Sequence, residues 1–174
     1  MLSRVVALDA EKRMSLTQWK GLVAAPISGL LRQSGFRKSG LKFSSIRAEA
    51  TLLVSLQSSV GTTREVLRIT CNLGIVLHAL GSRDNHEVRD GHWRERIGYF
   101  MPEPRDHWWV CSTDDTARTA GREMAALLES QALPEMERLA SRAAMVALWT
   151  SGRSPGLTEY QCAQYLRKLA QDRP

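Results

Sequence analysis

The sequence predicts an α+β fold: an N-terminal helix, an antiparallel sheet of about four to five strands, and C-terminal helices packed on that sheet. Strand-like segments are grouped in the middle of the chain, helical periodicity is confined to its two ends, and no strand-helix alternation builds βαβ units. The chain has 174 residues, 43% apolar and 24% charged. At that length about 70% of the unfolded surface can be buried without disulfides or a structural metal.

The first helix begins beside Met14, where Ser15 and Gln18 make an S-x-x-Q capping box. Leu16, Trp19, Val23, Ile27, Leu30 and Leu31 then recur every three or four residues, which places them on one helical face. Pro26 lies inside this run and predicts a kink, and Gly35 supplies the stop. Strands are expected over residues 41–48, 51–58 and 65–77. In the last of these Val66, Arg68, Thr70 and Asn72 alternate with Leu67, Ile69, Cys71 and Leu73, the pattern of a strand with one wet face. Residues 81–92 are polar and aperiodic and read as a loop. Two short aromatic-rich strands are expected over 93–101 and 107–112, on either side of the two-proline turn MPEPRD.

Three helices complete the chain. Ser112 and Asp115 suggest a cap for a stripe of Ala117, Ala120, Met124, Leu127 and Leu128 that runs to Pro134. Met136, Leu139, Ala143, Val146 and Trp149 mark a second helix, which stops at Gly152. Thr158 and Gln161 cap a third, carrying Cys162, Leu166 and Leu169.

Residues 1–13 read as a flexible extension ahead of a single domain over residues 14–174. Only four apolar residues follow Arg4 before acids arrive at Asp9 and Glu11, too few for a signal peptide. No apolar run approaches the roughly 20 residues needed to cross a bilayer, so a membrane span is excluded. Cys71, Cys111 and Cys162 are odd in number and far apart, which predicts free buried thiols and a cytoplasmic protein.

Catalytic signatures are missing. No glycine-rich phosphate loop occurs, and no nucleophile has a base at a recognisable spacing. His86 and His92, with Asp84, Glu87 and Asp90, are the one group of potential metal ligands, at a spacing that fits no standard zinc site. The expectation is therefore no catalytic residue, no cofactor and no metal. An unrecognised enzyme or metal protein built on these residues is the outlying alternative.

Two surfaces remain as candidates. Trp93, Arg94, Arg96, Trp108 and Trp109 form an aromatic-arginine segment, the composition of a protein-interface hot spot, although tryptophans also serve as core. The formal charge of +6 belongs wholly to residues 1–50, with nine Lys/Arg against three Asp/Glu. Arg32, Arg37, Lys38, Lys42 and Arg47 are its candidate basic patch, suited to nucleic acid or an acidic protein, or simply to solubility. No nucleic-acid module motif accompanies it.

The ordered set LLRQSGFRKSGLKF, LRITCNLGIVL, RERIGYF, DHWW and QALPEMERLAS resembles the bacterial domain of unknown function 4304 family over roughly residues 17–148. The resemblance implies an intracellular bacterial α+β protein and brings no catalytic residue or cofactor. The function expected is a non-enzymatic protein-binding module, immunity-like or defence-associated, with another bacterial protein as partner. Nucleic-acid binding through the first 50 residues is the alternative.

Overall fold

Ser15 opens α1 (Leu16–Gln33) as expected: its hydroxyl accepts the Gln18 backbone N–H at 3.3 Å, and the Gln18 side chain accepts the Ser15 N–H at 2.7 Å. These two bonds satisfy donors that a helix start leaves unpaired. The computed structural model describes residues 15–81 and 86–171. The expected extension over residues 1–13 lies outside the described residues. The helix continues through Pro26 and ends where Gly35 takes a left-handed φ of 81°, which costs glycine little.

Among the described residues the sheet contains six antiparallel strands. β1 (Arg37–Ser39), β2 (Lys42–Ile46), β3 (Ala50–Ser58), β4 (Leu67–Leu77) and β5 (Trp93–Arg96) lie side by side in that order, and β6 (Trp109–Cys111) also pairs with β4. Ile69 is paired with both Ser58 and Trp109, so β6 must lie on the edge of β4 away from β3, the edge that β5 also uses. One long strand thus carries two short neighbours end to end.

This sharing explains why the aromatic strands are shorter than their sequence suggests. After Arg96 the chain leaves the sheet in a 3-10 turn, Ile97–Phe100, where Gly98 packs against the returning backbone. A Cβ at Gly98 would stand 2.4 Å from the Arg105 carbonyl oxygen, so the close approach requires glycine.

Among the described residues four α-helices follow rather than three. α2 (Asp114–Leu127) is capped by Thr113 with Thr116, one residue later than the expected Ser112 and Asp115. It does not stop at Pro134. A π-helical segment, Leu128–Ala132, leads directly into α3 (Leu133–Leu139), whose first turn holds Pro134 where no N–H is needed. The second expected helix is divided at Ser141, which accepts the Ala144 N–H at 3.2 Å and caps α4 (Arg142–Thr150). α5 (Glu159–Gln171) begins with the predicted Thr158–Gln161 exchange.

The apolar core fills the space between one sheet face and the helices. Leu52, Val54 and Leu56 of β3 align with Ile75, Leu73 and Cys71 of β4 and are buried, as are Trp93 and Trp109 beside them. Val23, Ile27 and Leu31 of α1 join Met124 of α2, Met136 of α3, Met145 of α4 and Leu169 of α5 in the same cluster. α1 and α2 meet closely at Gly121, where a Cβ would lie 2.5 Å from the Val23 carbonyl oxygen.

Candidate functional site

Side chains alternate along a strand, so the residues between the core positions face the other way. Pairing sets two rows across this second face: Lys42, Ser55, Asn72 and Arg96, then Ser44, Leu53, Gly74 and Arg94. Over these rows lies an open groove of about 2080 Å³.

Part of the face is covered by the chain itself. Residues Val88–Asp90 form a 3-10 turn above Gly74, where an added Cβ would be 3.3 Å from Val88. The Glu87 carboxylate bonds to Lys42 and lies 3.3 Å from Arg89. Under this cover Leu53 is 4% exposed and Val76 1%. Farther along β3 and β4 the floor is polar and partly open: Ser55, Gln57 and Asn72, with the Asn72 amide donating to the Gln57 carbonyl at 2.7 Å.

Cations stand at both sides of this floor. Arg37 and Lys38 sit on the fully exposed β1 and make no ion pair among the described residues; Arg37 is paired with Ser44 on the open face, whereas Lys38 is paired with Phe43 on the opposite one, its ammonium 5.8 Å from that ring centre. Across the sheet, Arg96 pairs with Asp106 and lies 5.0 Å from the Trp108 ring centre. Arg94 is tied to the Arg89 carbonyl at 3.1 Å and to that of Gly156, while its own N–H donates to the Pro155 carbonyl at 3.2 Å. The 155–156 loop therefore covers the outer edge of β5.

The fold divides the two candidate surfaces and recombines parts of them. Arg37 and Lys42 reach the groove together with Arg94 and Arg96, while Lys38 borders it from β1 with its side chain on the Phe43 side of the sheet. Arg47 also borders the groove but is engaged: its Nε donates to both Glu137 oxygens at 3.0 Å, and its other nitrogens reach Ser45 and the Ser34 carbonyl. The Glu137 hydrogen bond raises its already high pKa further. Arg32 lies exposed in the last turn of α1, away from the groove lining.

The aromatic segment is mostly interior. Trp93 is 3% exposed and Trp109 6%, the latter donating to Glu123 at 2.7 Å. That burial leaves Arg94, Arg96 and the half-buried Trp108 as the surface contribution of the segment. Sequence reading missed Ser55, Gln57 and the role of Glu87, although the wet face of β4 was visible in its alternation.

Among the described residues the histidine group builds no metal cluster, although His86 lies near enough to His92 to act on its charge. His92 is buried, its Nδ1 accepting the Leu77 N–H at 2.9 Å and its ring edge-on to Tyr165 at 4.9 Å. Burial holds its pKa down to about 4. Glu87, pulled below the usual carboxylate range mainly by its hydrogen bond to Lys42, faces the groove. Asp84 lies outside the described residues. Among the described residues no three His, Cys, Asp or Glu side chains stand close enough to hold a metal ion. The three cysteines are buried and free, and burial raises the Cys71 thiol to about 12 and Cys111 to about 11.

Residues 27–138 match the family described as Domain of unknown function (DUF4304). The chain belongs to this family. The DUF4304 match runs from the second half of α1 into α3 and includes all six strands, hence both rows of the open face; α4 and α5 lie beyond it. No curated protein and no solved structure matches the chain. Among the described residues no helix is long and apolar enough to cross a membrane.

Proposed function

We propose that residues 14–174 act as one domain, a non-enzymatic binding module of the bacterial cytoplasm that docks an acidic partner protein on the open half of its sheet. Its role in this reading is that of an immunity-like or defence-associated regulator of that partner. The supporting observation is the groove itself: a polar floor at Ser55, Gln57 and Asn72 between Arg37 of β1, which makes no ion pair among the described residues, and the arginines of β5. Such a surface favours hydrogen-bonding anions and gives electrostatic steering toward a partner of opposite charge.

A protein suits this floor better than a nucleic acid does. Base stacking needs exposed rings on the sheet, whereas Phe43 is turned into the core and Tyr99 stands at the rim.

Co-expression with the products of neighbouring genes tests the reading. The expected result is a stoichiometric complex whose affinity falls about tenfold or more in the R37E/K38E variant, with an unchanged melting temperature. The alternative would replace it if oligonucleotides bound tightly at about 50 mM salt, lost affinity steeply with added salt, and depended on the same two residues.

A further inference from the structure

The groove already holds carboxylates of its own, Asp106 beside Arg96 and Glu87 beside Lys42. Glu87 and Lys42 are 45 residues apart in sequence, and their contact crosses the open face. Lys42 projects from β2 at the level of Ser55, whereas Glu87 precedes the Val88 that covers Gly74 on β4. Two strand steps separate β2 from β4, about 10 Å, so the ion pair passes above β3. Arg89 approaches the same carboxylate at 3.3 Å. A single acid thus sits between two cations at the closed end of the open floor.

The pair is not needed to place Glu87. Its side chain accepts the Asp90 N–H and Asp90 accepts the Glu87 N–H at 2.8 Å, a reciprocal cap that fixes this turn from within. The ion pair is also exposed, with 60% of the Lys42 and 41% of the Glu87 side chain accessible. Exposed pairs contribute little to stability, so this one can be exchanged at small cost.

We infer that Glu87 is a built-in competitor: it occupies the Lys42 end of the groove as a partner's carboxylate would, and an acidic peptide segment must displace it to lie along the floor. This inference rests on the groove being the docking surface. It adds that the chemistry recognised at this end is a carboxylate and that binding there is held in check by the chain's own side chain. Glutamine at position 87 keeps an oxygen for the Asp90 cap and removes the charge.

The test uses the full chain and a fluorescent oligoglutamate peptide, with anisotropy read for wild type, E87Q, K42Q and the double variant. E87Q is expected to bind about fivefold tighter, K42Q more weakly, and the E87Q gain to vanish in the K42Q background. Melting temperatures matching the wild type verify the fold; Glu87→Ser, which keeps a capping hydroxyl, serves if the glutamine variant melts early. If the wild type binds and E87Q binds no better, Glu87 is not a competitor and the groove reading survives. A gain that persists undiminished with K42Q is an effect of net charge and overturns the displacement. If neither protein binds the peptide and R37E/K38E leaves the partner complex intact, both readings fall. A labelled oligonucleotide that gains more from E87Q than the peptide overturns the carboxylate assignment.

Discussion

The two faces of β4 bury their residues by different means. On one, Leu67, Ile69, Cys71, Leu73, Ile75 and Leu77 are all fully buried by helices. On the other, Arg68 is exposed and Asn72 half-buried, whereas Thr70 is buried under the His107 carbonyl it bonds at 2.9 Å and Gly74 lies beneath the 88–90 turn. The first face is a packing solution with no room for choice. The second is built from polar groups, an ion pair and one short turn, and retains open surface that a core would have eliminated.

The largest contrast should appear in stability. Leu73→Ala empties a site on the packed face and is expected to cost about 2–5 kcal/mol in urea unfolding, through lost burial and a residual cavity. A cost below about 1 kcal/mol would show that this face is looser than its burial indicates.

Acid should act through the junction that joins the faces. His92 is neutral in the fold, with a pKa near 4 against 6.5 for the free side chain. As pH falls, the unfolded chain takes up the proton first, so stability drops between about pH 6.5 and 4 and levels off below. The loss is at most about 3 kcal/mol, from 1.36 kcal/mol per unit. Urea melts at pH 7 and 4.5 check this, and His92→Gln should flatten the difference over that window.

A smaller effect is expected at Arg47, which bridges β2, the end of α1 and α3. Its replacement by alanine removes charge-assisted bonds to Glu137 that remain partly solvated, a loss of about 1–2 kcal/mol readable as a lower urea midpoint. Smallest of all, Ser55→Ala on the open floor should change unfolding by less than about 0.5 kcal/mol. A cost near that of Leu73→Ala would mean the floor is structural and would break the contrast between faces.

Legibility in the sequence followed the same division. The packed face was readable because burial imposes a period: the alternation around Cys71 and the three- to four-residue spacing after Ser15 both mark core positions. The edges were less readable. β1 is three residues long with no apolar pattern, and the shortening of the aromatic strands depends on β5 and β6 sharing one neighbour, which no local signal carries. Pro134 misled as a stop because a π-helical segment delivers it to the start of a new helix, where its missing N–H does no harm. The groove joins Arg37 and Lys42 to Arg94 and Arg96 through strand register, a long-range property. Composition left Trp93 and Trp109 open between interface anchor and core, and register places both in the core.

The buried thiols offer a practical use. With its pKa near 12, Cys71 has about one thiolate in 10⁵ at pH 7, and Cys111 about one in 10⁴; Cys162 is also buried, with its pKa raised by that burial. Towards a maleimide dye the native protein should therefore behave almost as a cysteine-free chain. A single cysteine introduced at Ser55 would take the label selectively, turning the groove floor into its own optical reporter without removing any natural sulfur.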